Sequence, residues 1–312
     1  MAGTRLMLLD TASLYFRAFF GVPEIKAPDG TPVNAVRGLL DFIARLVSTH
    51  QPTDLVCCWD NDWRPQWRVD LIPSYKGHRV VRVVADGVDI EETPDPLEVQ
   101  VPMIEAALEA FGIAVVGADG YEADDVLGSL ASQSKGPVDV VTGDRDLFQL
   151  VDDDNDVRVL YIARGVGNLE ILTNSSIVKK YGILPEQYVD FAVLRGDASD
   201  GLPGVKGVGD KTAASLLQQY GDLAGIQAAA ADDSTKMATG VRSKLTAATD
   251  YLAVAPTVVA VARDLDLPTV DTKILPLDDA GVEVVAALRE DWGLGGSVDR
   301  VLRAIGNDVP ED

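Results

Sequence analysis

Carboxylates recur in this 312-residue sequence just past its short apolar runs. Asp10 follows Arg5-Leu-Met-Leu-Leu9, and Asp60 follows Leu55-Val-Cys-Cys-Trp59. Glu122, Asp124 and Asp125 come after Ile113-Ala-Val-Val116, Asp144 and Asp146 after Val138-Asp-Val-Val141, and Asp197 and Asp200 precede a glycine-rich segment. A single Asp behind a strand is usually a turn former or a helix cap, and Asp152-Asp-Asp-Asn-Asp156 reads as a solvated loop. Repetition at four strand ends is what points to chemistry. In a parallel sheet the carboxyl ends of the strands face one crevice, so these side chains converge. Gathered carboxylates repel and raise one another's pKa, which makes them tolerable only with cations. Hard oxygen donors without His or Cys predict Mg²⁺ or Mn²⁺. Two such ions about 4 Å apart suit phosphodiester hydrolysis: one turns water into a nucleophile and the other stabilises the leaving 3′-oxygen. The products then carry 5′-phosphate and 3′-hydroxyl ends.

The elements that position these groups are an alternation of strands and helices. The four apolar runs read as buried strands. Helical stripes occupy Asn34 to Val47, Val99 to Phe111 and Ala123 to Ala131, which predicts an α/β fold with a mostly parallel central sheet covered by helices. Between residues 63 and 96 the pattern fails. Four prolines and no long stripe make that stretch an excursion from the sheet, expected to order only with substrate. From about Ser175 the chain turns mostly helical, with one helix over Asp210 to Tyr220 and another over Lys236 to Leu252. The expected division is 1–172, 173–270, and an acidic segment, 271–312, that reads as a solvated surface.

Composition bounds the partners. Mean composition is ordinary for a globular chain, with 47% hydrophobic and 24% charged residues. No apolar run approaches the roughly 20 residues of a membrane span. The adjacent pair Cys57 and Cys58, the only cysteines, excludes a disulfide scaffold and predicts a reduced, cytoplasmic protein. Net charge is −22, which taken globally opposes a polyanionic partner. Two local reversals answer it. From Arg64 to Val84 the charged side chains are Arg64, Arg68, Lys76, Arg79 and Arg82 against Asp70, with Trp63, Trp67 and Tyr75 interleaved, as in single-strand binding segments. Gly204-Val-Lys-Gly-Val-Gly209-Asp-Lys-Thr-Ala213 offers tight turns, a helix start and the charges of Lys206 and Lys211 to a DNA phosphate.

Together these residues carry a family resemblance. Leu8-Leu-Asp10 with Tyr15-Phe-Arg-Ala-Phe19, Asn34-Ala-Val-Arg-Gly38, Trp59-Asp60, Tyr75-Lys-Gly-His-Arg79, Tyr121-Glu-Ala-Asp-Asp125, Thr142-Gly-Asp-Arg-Asp146 and Gly196-Asp-Ala-Ser-Asp-Gly-Leu-Pro-Gly204 resemble the motifs of the 5′–3′ exonuclease and flap endonuclease family, bacterial branch. The resemblance covers about Leu6 to Leu267 and implies a PIN-like 5′ nuclease fold followed by a helix–three-turn–helix domain. It implies that Asp10, Asp60, Glu122, Asp124, Asp144, Asp146 and Asp200 surround two catalytic metals, with Asp125 and Asp197 available for a third. Lys76 and Arg79 match the basic residues of a helical arch that reach the scissile phosphate. DNA contacts are expected from Phe16, Arg17, Arg37, Arg64 and Arg82, and from Gly204, Lys206, Gly207, Gly209, Lys211 and Thr212, with a K⁺ ion on the hairpin carbonyls. Phe16 stands where the family commonly has a stacking tyrosine, and Arg37 where an aromatic is common. The implied activity is structure-selective cleavage of DNA at 5′ ends, 5′ flaps and RNA primers by a monomer without an attached polymerase. A non-catalytic binder of structured DNA and an RNA-directed metal nuclease are the alternatives.

Overall fold

The computed structural model describes residues 4–84 and 87–309. The chain runs β1 (Leu6–Asp10), α1 (Thr11–Gly21), α2 (Asn34–His50), β2 (Asp54–Trp59), α3 (Gln66–Leu71), β3 (Val80–Arg82), β4 (Ile90–Glu91), α4 (Asp95–Glu98), α5 (Val101–Ala110), β5 (Ala114–Gly117), α6 (Ala123–Gln133), β6 (Val138–Thr142), β7 (Val157–Tyr161) and β8 (Glu170–Leu172). The helical part follows: α7 (Asn174–Tyr181), α8 (Tyr188–Arg195), α9 (Asp210–Tyr220), α10 (Leu223–Ala231), α11 (Thr239–Ala247), α12 (Thr249–Val259), α13 (Asp279–Asp291) and α14 (Gly296–Ile305). Among the described residues no helix is long and apolar enough to cross a membrane.

The main sheet has the order β5-β2-β1-β6-β7-β8. All pairs are parallel except β7–β8. In β1 the side chains alternate between two cores. Leu8 packs with α6 and α8, whereas Met7 and Leu9 pack with α2, α5 and α14. The same period-2 rule sends Cys58 to the first core and Cys57 to the second, so the adjacent thiols lie on opposite faces. Both are free and buried. Register in the central strands brings Asp10 level with Cys58, two residues before Asp60. Strand pairing thereby sets the spacing of the carboxylates.

Three expectations change. The helix expected over Lys236 to Leu252 is two helices, α11 and α12. At their junction Thr249 Oγ1 donates to the Thr246 carbonyl (2.7 Å) and Thr246 Oγ1 to the Arg242 carbonyl (3.0 Å), bonds that compete with a continuous helical ladder. The excursion at 63–96 holds a six-residue helix, a single turn at Gly77–Arg79 and the antiparallel β3–β4 hairpin, in place of a helical arch. Val80, Val81, Val83 and Val84 are β-branched and favour extended backbone there. Contacts of its own help to hold it: Arg64 donates to the carbonyls of Tyr75 (2.6 Å) and Pro73 (3.3 Å) and pairs with Asp89 (2.5 Å).

The third change concerns the acidic segment after residue 271. It is not a solvated surface. Leu55 N–H donates to the Thr272 carbonyl (2.8 Å), which ties the segment to β2. Val298, Val301, Leu302 and Ile305, at helical spacing, enter the same core as Val36, Leu40 and Ile43 of α2. Leu302 is 5% exposed. Leu302→Ala should therefore destabilise the protein by about 2–4 kcal/mol in chemical denaturation, because a buried leucine leaves a cavity. A solvated tail would lose no more than about 0.5 kcal/mol.

Candidate active site

A cavity of about 250 Å³ opens above the carboxyl ends of β1, β2, β5 and β6. Asp10, Asp60, Glu122, Asp124 and Asp144 line it, and so do Lys76, Arg79, Phe16, Trp63 and Glu91. Each carboxylate is placed by a local device. Asp10 ends β1 and caps α1, accepting from Ser13 N–H (3.1 Å) and from the Thr142 hydroxyl (2.6 Å). Asp60 accepts from Ala123 N–H (2.7 Å), which docks the end of β2 on the first turn of α6. Glu122 caps α6 and Asp124 sits within its first turn. Asp144 accepts from Asp146 N–H (2.8 Å), and its own N–H donates to the Thr142 hydroxyl at the end of β6 (2.9 Å).

The electrostatics divide these groups in two. Burial, then the charge of Asp60 and Asp144, pushes Asp10 up to about 7 against a lowering hydrogen bond from Thr142. Asp124 is raised well above the carboxylate range by burial and by Asp10 and Asp144. Asp60 is raised by burial, offset in part by the Ala123 N–H and Lys76. Glu122 goes the other way. Burial alone would raise it, but Lys76 and Arg68 hold it below its ordinary value. Its Oε1 accepts from Tyr75 Oη (2.7 Å) and pairs with Arg68 (3.0 Å), and its Oε2 takes the Lys76 ammonium.

Asp146 and Asp200 lie just outside the cavity lining. Asp146 is buried and raised by burial, Asp144, Asp200 and Asp197, and its Oδ1 has no hydrogen-bond partner. Asp200 is pushed up to about 6 by burial first, with Lys76 lowering it and Asp144 and Glu122 raising it. The excursion is pinned beside it. Lys76 N–H donates to the Asp200 carbonyl (2.9 Å), Ser74 Oγ to the Gly201 carbonyl (2.7 Å) and Arg79 to the Ser199 carbonyl (2.9 Å).

Other expected residues do different work. Asp125 faces away from the cavity. Both of its oxygens are taken by Arg68 (2.7 and 2.9 Å), with further bonds from Ala262 N–H (2.8 Å) and Glu122 N–H (3.2 Å). It is a strut because a fully buried anion needs a complete set of donors. Asp197 is held below its ordinary value; burial raises it, and the Ser199 bonds, Arg195 and Arg145 outweigh that. Arg64 is 8% exposed and spent on the excursion's own backbone. Arg37 donates to the Gly293 carbonyl (3.4 Å) and so meets the C-terminal helices. Tyr75 is buried under Glu122 and offers no free face for base stacking, and one face of the half-buried Trp67 is taken by the Arg68 guanidinium (4.5 Å).

Phe16 lines the cleft, Arg17 keeps a buried Nε without a partner, and Arg82 is exposed on β3. In the hairpin, Lys206 and Lys211 are exposed, and Thr212 lies in the first turn of α9, behind Gly209 as its N-cap. Gly204 has φ +63°, and a Cβ there would stand 2.5 Å from Gly196 N, so only glycine fits. The Gly207 carbonyl accepts from Lys244 Nζ (2.9 Å), so an ammonium already occupies one acceptor of the turn expected to hold K⁺. Glu91 carries no signal in the sequence, and Thr142 shows there only as the first residue of a motif. Arg68 was visible only as one more basic residue of the excursion.

Among the described residues no three Asp, Glu, His or Cys side chains converge closely enough to grip an ion as they stand. The donor set nonetheless fits a hard divalent cation: all oxygen, mutually raised, with one buried oxygen unsatisfied. Asp124 carries the test, since charge and burial set its pKa and no hydrogen bond contributes to it. Asp124→Asn should raise the melting temperature of EDTA-treated protein by roughly 2 °C. Divalent cation should then stabilise the variant less than the wild type. A fall in the metal-free melting temperature would overturn the repulsion argument.

Residues 5–182 match the family described as the 5′–3′ exonuclease N-terminal resolvase-like domain, and residues 183–280 its C-terminal SAM fold. A 5′–3′ exonuclease of Streptomyces coelicolor is 59% identical over 302 residues, covering 96% of this chain and 99% of that protein. One of Mycobacterium tuberculosis is 50% identical over 309 residues, covering 96% and 97%. DNA polymerase I of M. tuberculosis is 43% identical over 223 residues, 70% of this chain and 23% of the polymerase. In solved structures the same fold occurs in T5 5′-exonuclease with bound zinc (TM-score 0.63, 17% identity, 96% of this chain and 98% of that one). It also occurs in the catalytic core of Rad2 in complex with DNA substrate (TM-score 0.61, 17% identity, 96% and 92%). With both family segments matched in order along a sheet that gathers the carboxylates at one edge, the chain belongs to the 5′–3′ exonuclease family.

Proposed function

We propose that this chain is a structure-selective nuclease that cleaves DNA at 5′ ends and 5′ flaps, including RNA-primed ends, during replication and repair. The observation that carries the reading is the convergence of Asp10, Asp60, Glu122, Asp124 and Asp144 under Lys76 and Arg79 in one cleft. The names of similar proteins support it: a 5′–3′ exonuclease, a DNA polymerase I, and a T5 flap endonuclease solved with DNA and metal ions.

Asp10, Asp124, Asp144 and Asp146, with Asp60, Glu122 and Asp200 around them, are the residues that would hold Mg²⁺ or Mn²⁺. Bound there, such ions supply a nucleophilic water at neutral pH and charge stabilisation for the leaving 3′-oxygen. The protein's own part is positional. An arriving phosphate competes with Glu122 for the Lys76 ammonium, and Arg79, one-third exposed beside Asp200, meets the same group. Phe16 offers a ring to the base next to the scissile bond. Lys206, Lys211 and the start of α9 hold a duplex phosphate without reading sequence.

A 5′-flap duplex labelled on the flap strand tests the reading, with Mg²⁺ or Mn²⁺ and separately with EDTA. Cuts should fall near the junction and vanish in EDTA. Asp144→Asn should lower cleavage by roughly 10² or more, and Lys76→Ala should lower it with duplex binding kept. Tight binding with no cleavage at any divalent concentration would replace the nuclease by a DNA-binding role.

A further inference from the structure

A second concavity, about 610 Å³, shares no lining residue with the cleft. It opens between α2, the turn Val166–Asn168 and α14. Arg45 and Arg300 line it beside Asp41, the lining carboxylate among the described residues, and Arg303 borders it. With Arg300 paired to Asp41, the guanidinium of Arg45 leaves one positive charge over among these described groups, in a chain of −22. Arg300 is about half-exposed and preset: its Nε donates to Asp41 Oδ1 (2.9 Å) and its terminal nitrogen to Ser297 Oγ (3.2 Å). Arg45 is exposed on α2, and no described acid pairs with it. Its guanidinium lies flat over Gly167, where an added Cβ would stand 3.2 Å from its carbon and both terminal nitrogens. The absent side chain is what admits the planar group. Phe42 and Val166 supply an apolar wall beside the cations.

Forked guanidinium groups match phosphate oxygens, and a neighbouring ring or guanidinium plane takes a flat base. The volume lies within the range of small-molecule sites, about 300–1,000 Å³. We propose that this groove binds a nucleoside phosphate. Because α14 lies beyond residue 280, the groove is built partly from chain outside both matched family segments. The same chemistry has two sources. One is a free mononucleotide, the product class of an exonuclease. The other is a phosphodiester of DNA held at the same time in the cleft.

Calorimetry with dAMP, and anisotropy with a labelled duplex in EDTA across a salt series, separate the two sources. Full-length wild type, Arg45→Ala, Arg45→Ala with Arg300→Ala, and the cleft variant Asp124→Asn are compared. If the ligand is a free mononucleotide, dAMP binds wild type and Asp124→Asn alike, and Arg45→Ala weakens it roughly tenfold or more. If the ligand is DNA, dAMP does not bind, and Arg45→Ala lowers the salt slope of duplex affinity by about 1. Arg45 is exposed and unpaired, so the single variant keeps its fold and carries the test even if the double variant loses stability. The proposal is overturned if neither Arg45→Ala nor the double variant changes dAMP binding or the salt slope. It is equally overturned if dAMP binding is lost in Asp124→Asn alone.

Discussion

Charge repulsion among buried and half-buried carboxylates is the constraint to which the rest of this structure answers. Asp10 and Asp146 are buried and Asp124 half-buried at one sheet edge, and all three are held far from their ordinary ionisation. The protein meets part of that cost internally. Lys76 and Arg68 are brought to Glu122, and Arg68 also closes on Asp125. Removing either partner of such a buried pair leaves an unpaired ion, which is far costlier than the pair is stabilising. The remaining charge is left uncompensated by the protein, and this is what gives the cleft its appetite for cations.

Arg68 shows how far that solution reaches. Its guanidinium joins α3 to the carboxylates of α6 and, through the Val258 carbonyl (3.1 Å), to the end of α12. Asp125 accepts Ala262 N–H from the same stretch. The excursion is tied to the other side of the helical part as well, through Asp200, Gly201 and Ser199. The electrostatics of the carboxylates and the docking of the helical part on the sheet are thus one network of bonds.

Much of this was legible in advance because the governing signals are local. Near-continuous apolar runs located β1, β2, β5 and β6 within a residue or so, since strands buried on both faces carry few polar positions to blur their ends. Helix α9 began at Asp210 as read, behind the glycine at its N-cap. What escaped depended on partners distant in sequence. Asp124 and Asp125 are adjacent acids with opposite fates, decided by which one Arg68 reaches across 57 residues. Arg64 and Tyr75 resemble nucleic-acid contacts in composition, and only the folded excursion shows them spent on its own backbone and on Glu122. Helix α14 is a different case. Its spacing of Val298, Val301, Leu302 and Ile305 was present in the sequence but masked by the acidity around it.

The alternation that splits β2 between two cores has a consequence for its thiols. Cys57 is pushed up to about 12 by burial, and Cys58 is raised well above its ordinary value by burial and its acidic neighbours. A thiolate is the nucleophile that attacks alkylating reagents and disulfides, so both sulfurs are inert while the sheet is closed. Their side chains point apart, so they cannot bridge one another. Each sits in a different hydrophobic layer. The dipeptide is therefore a pair of built-in reporters: the rates at which the two sulfurs become modifiable read the opening of each layer separately, and equal rates mean that the layers come apart as one cooperative unit.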